Sequence, residues 1–173
     1  MNEHTLTIIL RLLHILFGVM WAGTAIFLAL FIVPTIRALG PDGGKVMQEL
    51  MHRRKMPIYL MIAAIITIVS GTVLFWRFDA ATGHAFSSST PGRVFSVGGG
   101  LAFIALLIGM FVNRPTAAQI QRTGAAIAQS GVPPTAEQRD EMMRLQVKLI
   151  RVTQIIAWLM LGAAACMAVA RYT

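Results

Sequence analysis

Long apolar runs alternate with short polar stretches along this chain. The first run covers about residues 6–36 and is broken by only two strongly polar residues, Arg11 and His14. Three more follow, at about 58–76, 94–112 and 153–171. A bilayer core is about 30 Å thick, so a spanning helix needs roughly 20 apolar residues, and each run meets that length. Backbone amides in lipid must be paired within their own segment, so each run is expected to be a helix. The predicted fold is all-α: an integral membrane four-helix bundle forming one domain over residues 1–173.

The polar stretches differ from one another. Gly40-Pro41-Asp42-Gly43-Gly44 is a turn signal. It leads into the basic run His52-Arg53-Arg54-Lys55. Residues 77–93 are rich in Ser and Gly and carry few charges. Residues 116–152 are longer. Pro115 allows a kink before them, and Thr116 to Gln129 has a helical apolar spacing. Thr135 and Gln138 have the spacing of a capping box, after which the pattern stays helical to Tyr172. The expectation is a cytoplasmic helical hairpin over about 116–152 that extends the bundle beyond the membrane.

Composition strengthens this picture. Of the 173 residues, 56% are hydrophobic and 13% charged, against about 25% charged in soluble domains. The net charge of +8 would suit a nucleic-acid partner if it lay on one polar face. Instead the cations punctuate the apolar runs, so no nucleic acid is expected, and the lipid bilayer is the first partner. Eleven of the 15 Lys and Arg lie in the 37–55 and 113–152 connections. That bias places both connections in the cytoplasm and both termini outside, here the periplasm. Cys166 is the only cysteine, which excludes an internal disulfide.

Candidate chemistry is sparse. There is no zinc-type Cys/His cluster, no phosphate-binding glycine loop, and no Asp or Glu within the four runs. The intramembrane His14 stands out, since ionisable groups in a span are costly and mark functional sites. Helical spacing puts Arg11, His14, Gly18, Trp21 and Ala25 on one face. At a similar depth the other runs carry small residues: Gly71, Gly98, Gly99 and Gly162. Gly18, Trp21, Gly71, Gly98 and Gly99 would shape a flat slot beside the imidazole, suited to a haem whose iron takes His14 as an axial ligand. Arg11 would then meet a propionate. Small residues and a hydrogen-bonding histidine also serve helix packing with no cofactor at all. His84, in the 77–93 connection, is a weaker candidate for a second ligand. The 11 methionines invite a Cu(I) reading, but they show no Met-x-x-Met repeat within a run, and copper ranks below haem. Met142, Met143, Leu145 and Ile150 would offer a docking stripe to a membrane-complex partner or a second copy.

The run from His14 through Gly18, Trp21 and Gly23 to Phe27, with Pro34 beyond it, resembles the first helix of a group of bacterial inner-membrane proteins. The group includes the HemJ-type protoporphyrinogen oxidases and the CopD-like copper-resistance proteins. Met51-His52-Arg53-Arg54-Lys55, with Ile58, Ala63, Thr67 and Gly71, resembles the start and body of the group's second helix. The likeness covers roughly the first 75 residues and does not extend to the lysine-bearing signature of the later HemJ-type helices. It implies haem b or porphyrin handling at His14, with an electron-transfer or porphyrin-oxidation role of a membrane oxidoreductase. Copper transport or a non-catalytic assembly subunit are the alternatives.

Overall fold

The computed structural model describes residues 2–173, apart from the side chain of Pro41. All regular structure among these residues is helical. The first long helix, α1, runs Glu3–Ala38. A short helix, α2 (Pro41–Gln48), leads through a π-helical turn at Glu49–Arg53 to α3 (Met56–Ala81). One further turn of helix, α4 (Ala85–Ser88), precedes α5 (Thr90–Ser130), and α6 (Ala136–Tyr172) completes the chain. The four long helices α1, α3, α5 and α6 are each long and apolar enough to cross a membrane. At 1.5 Å per residue, the 41 residues of α5 span about 60 Å, twice the thickness of a bilayer core.

The distribution of side-chain size is the reverse of a soluble protein's. The buried core is largely alanine: Ala25, Ala63, Ala64, Ala102, Ala105 and Ala163, with Trp21, Ile156 and Met160. Large apolar residues point outward, Trp158 at 71% exposure and Phe111 at 69%. Water would penalise that surface heavily. In lipid it costs nothing, and small residues inside allow the helices to approach closely. The broadest contacts join α1 to α3 and α5 to α6. Contact between α1 and α6 ties the two pairs together, while α3 and α5 touch sparsely.

Several local signals act as expected and some act differently. Thr135 and Gln138 form both halves of a capping box at the start of α6. Gly40-Pro41-Asp42-Gly43-Gly44 is only partly a turn. Gly40 takes a positive φ of 56°, and Pro41 then opens α2 at a position where a proline loses no helical hydrogen bond. Pro115 does not end or break its helix. A π-helical turn at Gly109–Asn113 precedes it, closed by the Arg114 amide donating to the Gly109 carbonyl. The first helix repeats the device, with a π-turn at Leu28–Ile32, the Val33 amide on the Leu28 carbonyl, and Pro34 next. Proline lacks an N–H and crowds the preceding turn, so a wider i to i−5 turn there lets the helix continue.

Beyond the bundle, the Arg114–Ser130 part of α5 runs beside the start of α6. The Gln119 side-chain amide donates to Glu141 Oε1 at 3.1 Å. Met142 reaches Gly124, while Met143 stays 63% exposed. At the opposite end of the bundle, an ion pair joins Glu3 on α1 to Arg77 on α3.

Candidate functional site

Close packing between α1 and α3 determines how His14 sits. Its Nδ1 lies 2.8 Å from the backbone carbonyl oxygen of Thr67 on α3. A carbonyl can only accept, so Nδ1 carries the proton and donates it. In the neutral ring the lone pair is then on Nε2. The ring lies over Gly71: a Cβ at that position would come within 2.6 Å of His14 Cε1 and 2.7 Å of Nδ1. Gly71 is therefore glycine because an imidazole occupies the space of its side chain. Gly18 is under no such demand, since a Cβ there would meet Thr67 Cγ2 at an ordinary 3.5 Å. Thr67 is buried and its hydroxyl donates to the Ala63 carbonyl at 2.7 Å, which fixes the side chain along its own helix.

The other small residues divide between two helix pairs. Gly98 faces α6, where a Cβ would fall 2.9 Å from Cys166 Cβ and 3.3 Å from the Ala163 carbonyl oxygen. Gly162 meets Leu101 at the same interface. Gly99 has nothing within 4 Å of where a side chain would begin. Gly71 and Gly98 thus serve different contacts, one seating His14 and the other joining α5 to α6. Arg11 is exposed, and among the described residues it makes no ion pair. Trp21, at 6% exposure, lies in the core two turns beyond His14. His84 is engaged in its own connection: its Nδ1 lies 2.9 Å from Asp79 Oδ2, and Asp79 Oδ1 accepts the Ser87 amide at 2.8 Å.

Thr67 was not among the residues picked for chemistry from the sequence. Its side chain is not what acts; its carbonyl is, and a carbonyl has no sequence signature. The available signal was Gly71, one turn along α3. Among the described residues no three of His, Cys, Asp and Glu come together to hold a metal ion. An ion bound at His14 would have to bring most of its ligands with it, as the iron of a porphyrin does.

A second feature lies toward the other end of the bundle. A cavity of about 360 Å³ opens there between α1, α3, α5 and α6. Its inner walls include Trp21, Ala25, Ala64, Ala105 and Ile156, and its mouth carries His52, Asn113, Arg114 and Gln121. All three π-turns contribute to it: Leu28 from the first, Met51 and His52 from the second, and Gly109, Met110 and Asn113 from the third. The residues of the 37–55 and 113–152 connections therefore meet at one end, as an up-and-down order of spans requires.

Four apolar helices around an alanine core, with a lipid-suited surface, define a multi-pass membrane protein. No family model, no curated protein and no solved structure matches the chain.

Proposed function

We propose that this membrane protein holds a b-type haem or a related porphyrin through His14, with a role in electron transfer or porphyrin oxidation. The observation that supports this reading is the Nδ1–H bond to the Thr67 carbonyl. Ligating histidines commonly donate their other ring nitrogen to a backbone carbonyl, which fixes the tautomer and the ring orientation. Here that bond leaves Nε2 as the ligating atom. Gly71 supports the ring from the side of Nδ1 and Cε1, so the macrocycle would lie on the Nε2 side. Arg11, one turn nearer the helix start and without an ion pair among the described residues, would take a propionate. The resemblance of the His14–Phe27 run to HemJ-type and CopD-like first helices supports the same assignment. In this reading the protein resides in a bacterial inner membrane with both termini periplasmic, the orientation that the cation bias favours.

The test is the absorption spectrum of protein purified in detergent after expression with haem supplementation. A Soret band that disappears in His14→Ala, with the variant still monodisperse, is the expected result. No band in the wild type, or the same band in His14→Ala, overturns the proposal.

A further inference from the structure

Apart from Trp21, the cavity at the basic end shares no residue with the His14 reading, and its two ends differ in chemistry. The floor is deep and apolar: Ala64 and Ala105 are 2% and 1% exposed. The mouth is polar and cationic, with Arg114 and His52 at the level of the Lys and Arg that gather there. Of the nearby cations, Arg53 and Arg54 both bond to Glu49, at 3.4 and 3.2 Å. Arg114 makes no ion pair among the described residues. A guanidinium at the edge of an apolar cavity fits an anion that carries its own apolar tail. Its fork of donors matches a phosphate especially well. Basic pockets between spanning helices are known seats of anionic lipid headgroups. A volume of about 360 Å³ lies at the low end of small-ligand pockets, so it would hold part of one chain rather than a whole lipid.

Three π-turns line the cavity. Each inserts an extra residue into a helical turn, and all three do so around this cavity. In α1 and α5 a proline follows at once, so regular helix cannot easily be restored. The opening therefore coincides with irregular backbone contributed by three separate elements. The methionines Met51, Met56, Met61 and Met110 add a lining that adapts to a flexible chain.

We infer that this cavity is a binding site for an anionic phospholipid, with the phosphate on Arg114 and His52 and one acyl chain against Trp21, Ala64 and Ala105.

The test uses the full chain in mild detergent, relipidated with phosphatidylglycerol, phosphatidylcholine or neither, and read by native mass spectrometry and thermal unfolding. The wild type should retain one phosphatidylglycerol and gain several degrees in Tm, with no gain from phosphatidylcholine or from inorganic phosphate. Arg114→Gln should weaken retention about tenfold, the loss of one charge-assisted hydrogen bond. Arg139→Gln removes the same charge from the exposed start of α6 and should leave retention unchanged. Ala105→Leu fills the floor and should abolish the Tm gain while Arg114 remains. Equal retention of the two lipids, an equal gain from inorganic phosphate, or equal loss in Arg114→Gln and Arg139→Gln would overturn the inference.

Discussion

The two halves of this bundle solve the same packing problem in opposite ways. Around His14, small residues draw the helices together until a ring fills the space a methyl group would need. Around Arg114, residues of three π-turns line an open cavity. In the closed half the polar groups His14, Thr67 and Ser70 each have a hydrogen bond fixed, whereas the open half has a rim of polar groups around an apolar floor. Composition alone does not distinguish a closed from an open region; the helix that each glycine faces, and the hydrogen bonding of the turn, do.

Substitutions in the closed half should give the largest effects. Gly71→Ala puts a methyl group into the His14 ring, and Gly98→Ala puts one against Cys166 and the Ala163 carbonyl. Each should cost about 1–3 kcal/mol, the usual range for overpacking. The midpoint of unfolding in mixed detergent micelles measures it. Unchanged midpoints in both would mean that the halves do not differ in closeness.

His14→Ala should cost less. It removes one interhelical hydrogen bond, worth about 0.6 kcal/mol on average between membrane helices, and the contact with Gly71. Pairing it with Gly71→Ala sharpens the comparison: the double variant should lose less than the two single losses together, because the clash goes with the ring. Strict additivity would contradict the contact.

Opposite in sign is Gly99→Ala. Nothing lies within 4 Å of the new methyl group, so the change should be neutral or stabilising by roughly 0.5–1 kcal/mol through helix propensity. A loss as large as that of Gly98→Ala would show that the glycine run acts as a unit.

In the open half, Pro115→Ala restores a backbone donor and removes the ring that crowds the preceding turn. Stability should change little. Amide exchange over residues 110–114 should slow as the π-turn at Gly109–Asn113 gives way to regular helix. Unaltered exchange would mean that the turn does not depend on its proline.

The fold was legible in the sequence for a simple reason. Spanning helices are set by the length of apolar runs, and four such runs were present. The end of the hairpin was also legible, because the Thr135–Gln138 box is a purely local signal. What failed to show was the backbone's answer to proline. Pro115 allows a kink, but nothing in the sequence announces that a π-turn precedes it and that the helix continues to Ser130. The grouping of the glycines was equally hidden. Gly71 and Gly98 sit at similar depth by counting, but rotation about the helix axis turns one toward His14 and the other toward α6. The face of Arg11, His14, Gly18, Trp21 and Ala25 was read from periodicity within one helix, which needs no knowledge of its partners; Arg11, at its outer end, is exposed. Which carbonyl would meet His14 was not, since that depends on the register between α1 and α3.

The most direct test of the role proposed for His14 is chemical rescue of axial ligation. His14→Gly leaves a space in the α1–α3 interface of about the size of the ring it removes. The purified variant, titrated with haem in detergent, should give no bound-haem Soret band until imidazole is added, and should then recover the wild-type band. A wild-type band without imidazole, or a folded variant that imidazole fails to restore, would contradict that role.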